Sequence, residues 1–91
     1  MEFSVVHNER LRRFETAIGG DYAILEYRLH GGDLALVHTL VPEEHRRQGI
    51  AYALIKFALE YAKEHGVKVL PLCSSVCKYI EEHPEYQSIV G

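Results

Sequence analysis

The chain has no surplus of positive charge. Its 91 residues hold 10 lysines and arginines against 13 acids, a net charge of −3 at pH 7. That balance excludes a protein that holds nucleic acid by overall charge, so any basic feature must be local. No apolar stretch reaches the length of a membrane span, and the N-terminus lacks the basic-then-apolar run of a secretory signal. Cysteine is scarce: Cys73 and Cys77 stand four apart. If they share a helix, its rise holds the two side chains in a stagger that seldom suits a disulfide. Both thiols are therefore expected reduced, and the compartment cytoplasmic. There is no repeat, low-complexity tract or Pro/Gly/Ser linker, so residues 1–91 read as one domain with one modest core.

What is present divides at Pro42. Before it the chain reads as strands: residues 12–17 (RRFETA), 21–29 (DYAILEYRL) and 34–41 (LALVHTLV). Gly19-Gly20 and Gly31-Gly32 mark the turns between them, because glycine adopts positive φ without penalty. The near-continuous apolar run of the third segment predicts a strand buried on both faces. After Pro42 the period changes. Ile50, Ala53, Leu54, Phe57, Ala58, Tyr61 and Ala62 recur at three- and four-residue steps, with Lys56, Glu60, Lys63 and Glu64 opposite, which predicts a helix over 49–65 closed by Gly66. Residues 67–72 (VKVLPL) predict a fourth strand ending near Pro71. Ser74 and Ser75 are expected to cap a last helix that runs to about His83 and stops at Pro84. The fold class is α/β in the α+β sense, with order β-β-β-α-β-α: an antiparallel meander followed by one parallel, right-handed βαβ pair.

The stretch HRRQGIA, residues 45–51, sets cations at the start of the long helix, where the dipole and free N–H groups already favour anions. An external anion resolves that conflict. The amides of Gln48, Gly49, Ile50 and Ala51 form a small cradle, Gly49 leaves room for a phosphate, and Arg46 and Arg47 add directed donors. The plainer alternative is that both arginines are solvated and offset by Glu43 and Glu44.

The run VPEEHRRQGIAYALIKFALEYAKEHG resembles the acetyl-CoA-binding signature of the GNAT N-acetyltransferase superfamily, Gln/Arg-x-x-Gly-x-Gly/Ala. Arg46, Gly49 and Ala51 match it, with Val41-Pro42 upstream and an amphipathic helix downstream. VHTLVPEEHRRQGIA together with PLCSSVCKYIEEHPEY is similar to a branch of very short, stand-alone members. The resemblance implies a GNAT-like domain whose third and fourth strands splay, with the pantetheine arm of acetyl-CoA between Leu40-Val41 and Leu72-Cys73. It implies acetyl transfer to an unidentified primary amine, with no metal, nucleic acid or membrane involved. A non-catalytic acyl-CoA-binding regulatory module is the alternative. No feature of the sequence specifies an oligomeric state.

Two features depart from that family's pattern. The strand glutamate that often serves as general base has its equivalent near Ala35, which cannot take a proton. The helices that usually build the acceptor pocket between the first two strands have no counterpart, so the acceptor side is expected to be open or completed by a partner. Candidate bases are few. His38 has a side chain suited to proton transfer near neutrality, and is equally readable as a packed strand histidine. Cys73, at a strand end before a helix N-terminus, sits where thiol pKa values fall. It either accepts the acetyl group or simply fills the splay. Cys77 is expected in the core, and Tyr79 against either the coenzyme arm or the core. His83 is read as structural, complementing a helix C-terminus. Cys73, Cys77 and His83 on one helix cannot close a tetrahedral metal site. Arg10, Arg12 and Arg13 read as a solvated edge or as contacts to an acidic acceptor.

Overall fold

Two hairpins organise the first half of the molecule. Each has a two-residue glycine loop with φ positive at both positions, +56° and +80° at Gly19-Gly20, +58° and +88° at Gly31-Gly32. That twist matches the right-handed twist of the flanking strands. The computed structural model describes residues 3–91. It contains β1 (Val6–Asn8), β2 (Arg13–Ile18), β3 (Asp21–His30), β4 (Asp33–Leu40), α1 (Ile50–His65), β5 (Val69–Pro71) and α2 (Ser74–Glu82). Two 3-10 segments, Glu43–His45 and Pro84–Ile89, complete it. The sheet order is β1-β2-β3-β4-β5; the first four strands are antiparallel neighbours and β4 pairs with β5 in parallel. The meander, the crossover helix and the parallel pair stand as the sequence predicts, in a mixed α+β sheet.

Five local features differ from the sequence reading. β1 was not foreseen: three residues long, it is anchored by His7, which bonds the Tyr27 hydroxyl at 2.6 Å and stacks on Phe14. Arg12 is not in a strand but in the β1–β2 turn, at φ +53°. The fourth predicted strand shrinks to Val69–Pro71, ending at Pro71 as expected but starting two residues later, since Val67 still bonds back to Ala62 at the end of α1. α2 begins one residue after Cys73, which takes the N-cap position in extended conformation, and neither Ser74 nor Ser75 caps it. The chain also continues past Pro84 as the second 3-10 segment, which buries Tyr86 and leads to a bridge between Val90 and Val69.

The core lies between one face of the sheet and the helices. Phe14, Leu25 and Leu36 from the strands meet Ile50, Leu54, Ile55, Leu59, Val69 and Val76, all fully buried. The buried stripe of α1 is wider than predicted and takes in Ile55 and Leu59, while Phe57 stays 39% exposed. The reason is that α1 packs on the sheet and also against α2 and the second 3-10 segment, so two of its faces are covered. Full burial of a leucine or isoleucine in such a core contributes about 1.5–3 kcal/mol. The opposite face of the sheet carries no helix among the described residues and presents Val6, Tyr22 and Leu40 to solvent. No helix among the described residues is long and apolar enough to cross a membrane.

β4 is buried on both faces only over Leu34, Ala35 and Leu36. Its pairing with β5 covers those three residues, closing with the amide of Leu72 on the carbonyl of Leu36 at 3.1 Å. Beyond them β4 runs on to Leu40 with no strand on that side. The register with β3 also slips: Glu26 faces His38 and Tyr27 faces Leu36, so Val37 is an extra residue in a bulge. A bulge bends its strand, and here the bend falls where β4 and β5 part.

Candidate functional site

The gap between β4 and β5 opens into a groove of about 660 Å³ at the start of α1. Its walls come from Thr39, Leu40 and Val41 at the end of β4, the loop from His45 to Arg47, the first turn of α1 from Gly49 to Tyr52, and Ser75 and Lys78 of α2. The loop has to turn sharply from strand to helix within a few residues. Pro42 starts a short 3-10 turn, after which Arg47 takes φ +65° and Gly49 φ +83°. An arginine in the left-handed region costs of order 1 kcal/mol, and such residues cluster at ligand clamps.

Gly49 is the N-cap of α1 and offers no side-chain cap. The first intrahelical bond runs from Ala53 to the Gly49 carbonyl at 3.0 Å. The amides of Gln48, Gly49, Ile50, Ala51 and Tyr52 bond no acceptor among the described residues. No acidic side chain sits in the first turn to neutralise the dipole. A Cβ at Gly49 would meet nothing within 4 Å, so the N-cap faces open space. The side chain of Ile50, 1% exposed, points into the core and pins the helix start beneath the groove.

The electrostatics are one-sided. Arg46, Arg47 and Lys78 border the groove, and no carboxylate among the described residues lines it. Arg46 donates its Nε to the Val41 carbonyl at 3.1 Å, which fixes the guanidinium and leaves its other N–H groups free to grip a second acceptor. Glu43 and Glu44 are exposed on the 3-10 turn and pair with neither arginine. A row of free amides, three cations and no acid is chemically an anion receptor.

Cys73 does not itself line the groove and meets it through Thr39, which does. Its Sγ lies 3.4 Å from the Thr39 hydroxyl, a contact that spans the gap between β4 and the start of α2. Burial pushes the thiol up, but the Thr39 hydroxyl and the amides of Ser75 and Val76 at the helix start outweigh it. The net effect holds the thiol below its ordinary value. Cys77 is not in the core: it is exposed, and its thiol donates to the Pro71 carbonyl at 3.1 Å.

Of the residues singled out from sequence, Leu40, Val41, Arg46, Arg47, Gly49, Ile50 and Ala51 converge on the groove. Gln48 and Tyr79 border a neighbouring hollow on the far side of the α1 N-terminus, with Tyr52, Lys56 and His83. Tyr79 is 5% exposed, its ring stacked on His83 at 4.0 Å; core packing is the role the geometry gives it. His83 also bonds the Tyr79 carbonyl, in the structural role expected. His38 is exposed and does not line the groove; it alternates with Thr39 and so points to the helix-free face, across from Glu26. Arg10 and Arg12 are exposed beside β1, and Arg13 is paired with Glu15 at 2.6 Å, at the far end of β2 from the groove. Among the described residues no cluster of three metal-ligating side chains occurs.

Sequence reasoning missed Thr39, His45, Tyr52, Ser75 and Lys78. Thr39 was recoverable, since it shares a strand face with Val41, and so was Lys78, three residues along the helix from Ser75. His45 and Tyr52 carried no such signal.

Most of the chain is similar to known proteins. Residues 13–89 match the family model described as GCN5-related N-acetyl-transferase. Protein NATD1 of Homo sapiens is 37% identical over 83 residues, 88% of this chain and 74% of the relative. Protein NATD1 of Gallus gallus is 36% identical over 83 residues, 88% and 76%. N-acetyltransferase 8 of Homo sapiens is 52% identical over 33 residues, 36% of this chain but only 14% of that protein. The family model takes in the meander, the loop, α1 and everything up to the last 3-10 segment, and the chain belongs to the GCN5-related N-acetyltransferase family.

Proposed function

We propose that the protein binds acetyl-CoA in this groove and transfers its acetyl group to a primary amine, the 91 residues acting as one domain. The observation that carries the reading is the row of unpartnered amides at the start of α1, ringed by Arg46, Arg47 and Lys78. Those groups suit a diphosphate. The β4 edge beyond Leu36 offers free backbone groups to an amide-bearing arm, in the manner of an added strand. Such an arm directs its acyl end toward Thr39 and Cys73.

Two routes are open to the acyl group. In the first, the Cys73 thiolate attacks the thioester carbonyl. A bond from Cys73 Sγ to the acetyl carbon forms as the bond to the CoA sulfur breaks, and the CoA thiolate takes up the proton Cys73 gave up. A neutral amine then displaces Cys73 from the acetyl carbon, and its proton returns to the thiol. In the second, the amine attacks acetyl-CoA directly, and His38 on the helix-free face takes the amine proton while CoA leaves as the thiolate. A non-catalytic acyl-CoA-binding module remains the second reading, favoured by the buried Ala35 and by a groove that no carboxylate among the described residues lines.

Titration with acetyl-CoA, followed by measurement of CoA release with a panel of amines and lysine peptides, separates these readings. Binding with amine-dependent release is the expected result. Binding without release identifies the module, and no binding overturns the coenzyme reading.

A further inference from the structure

We propose that His45 is a positioning residue for the phosphate-gripping loop, and that it works by seating its ring on Gly19 of the β2–β3 turn. The identity of the ligand rests on the acetyl-CoA reading above; the coupling of turn to loop does not.

The loop from Pro42 to Gly49 is tied down mostly by short-range bonds. The amide of His45 bonds the Pro42 carbonyl at 2.9 Å, that of Arg46 bonds Glu43 at 3.3 Å, and the Arg46 side chain reaches only Val41. None of these bonds involves Arg47, yet Arg47 is held at φ +65°. A conformation of that kind persists only where surrounding structure over-determines it. A tie to a distant segment is supplied by the imidazole of His45. It lies so close over Gly19 that a Cβ there would stand 2.7 Å from Nε2 and 2.9 Å from Cε1. The ring borders the groove on one side, and on the other a hollow shared with Thr16, Ile18, Gly19 and Gln48. It is a strut between the β2–β3 turn and the loop that carries Arg46, Arg47 and Gly49.

A side chain at residue 19 and the ring in its present place exclude each other. The imidazole is the far end of a flexible side chain, so it yields before the sheet does, and the loop loses its seat on the turn. Gly20 supplies a matched control. It has φ +80° in the same turn, but a Cβ there meets nothing within 4 Å. Gly19→Ala and Gly20→Ala thus carry the same kind of backbone strain, and only the first touches His45.

The test compares Gly19→Ala, Gly20→Ala, His45→Ala and the Gly19→Ala/His45→Ala double variant in two measurements. In amide NMR spectra of the free protein, Gly19→Ala is expected to shift Arg46, Arg47, Gln48 and Gly49, and Gly20→Ala to leave them in place. In acetyl-CoA titrations, Gly19→Ala is expected to weaken binding about fivefold or more beyond Gly20→Ala, with no further loss when added to His45→Ala. Equal effects of the two glycine variants on the loop amides, or a Gly19→Ala effect that survives in the His45→Ala background, overturns the proposal. If the wild-type protein binds no acetyl-CoA while the loop amides respond as expected, the strut stands and the coenzyme reading falls.

Discussion

Gly49→Ala probes the anion receptor at the point where it is barest. Gly49 sits at φ +83°, so an alanine there is strained by about 1–2 kcal/mol whatever surrounds it. In a domain of 91 residues, each 1 kcal/mol of that loss lowers the melting temperature by roughly 4–8 °C. Gly66, the C-cap of the same helix, stands at φ +65° and is equally free of neighbours, so Gly66→Ala incurs a similar strain at the opposite end of α1. The two variants should therefore melt at similar temperatures. They should part company in binding. The Cβ at Gly49 meets nothing in the protein within 4 Å, so on the proposed reading what it obstructs is the ligand. Losing one charge-assisted bond to a phosphate costs about 1.5–3 kcal/mol, which is roughly a 10- to 150-fold rise in Kd. Calorimetric titration with acetyl-CoA at fixed salt, beside thermal melts, reads both quantities. Unchanged affinity in Gly49→Ala, or an equal loss in Gly66→Ala, refutes the receptor. Gly49→Glu, which adds a negative charge to the same spot, should leave no measurable binding.

The other expectations follow from neighbouring groups. Arg46→Ala should weaken acetyl-CoA binding by about 1.5–3 kcal/mol, and Arg46→Lys should restore little of it, because a lysine cannot keep the Nε bond to Val41 while reaching a phosphate. The midpoint of the pH dependence of Cys73 alkylation, measured in a Cys77→Ser background, should lie below that of an ordinary thiol. Thr39→Val should move it upward and Thr39→Ser should not; a midpoint indifferent to Thr39 would show that the 3.4 Å contact does nothing to the thiol. Intact-mass measurement after incubation with acetyl-CoA should show one acetyl group that Cys73→Ala abolishes, if the covalent route operates. Stability should fall as pH drops below about 6.5. Burial lowers the pKa of His7; Glu9 opposes the shift and His65 adds to it, so the folded chain takes up the His7 proton later than the unfolded chain does. The contribution of His7 is then complete above the unfolded pKa and is lost as pH falls through the folded one. Melting temperatures between pH 7.5 and 5 should converge with those of His7→Gln as the pH falls; parallel curves would exclude the effect.

How much of this was legible in the sequence depended on the range of the interactions involved. α1 announced itself through a period contained in its own residues, and the proposed receptor was suggested by Arg46, Gly49 and Ala51, close to its start. The glycine pairs likewise fixed both hairpins locally. β1 left no such trace. Its three residues have no period of their own, and what holds them is a histidine meeting Phe14, Tyr27 and Tyr61 from three other elements. The stripe on α1 was misjudged for a related reason: a helix covered by a sheet alone would bury one side, and the second cover comes from residues beyond Pro84.

The bulge at Val37 illustrates the same limit at the site itself. Period-two alternation assigns His38 and Thr39 to opposite faces, but nothing in LALVHTLV says where the register with β3 slips or where β5 stops supporting the strand. Those two events turn a largely apolar segment into one that is buried over Leu34–Leu36 and more open from Val37 onward. They also decide which chemistry each residue can reach: Thr39 meets Cys73 across the gap, while His38 looks out on the helix-free face beside Glu26. If the covalent route operates, His38→Ala should leave acetylation of Cys73 intact and Thr39→Val should slow it. If the amine attacks directly, the order reverses, with His38→Ala lowering CoA release and Thr39→Val sparing it. A single comparison of the two variants in the same turnover assay therefore tells which face of β4 does the chemistry, and equal loss in both would show that neither side chain is specific to the transfer.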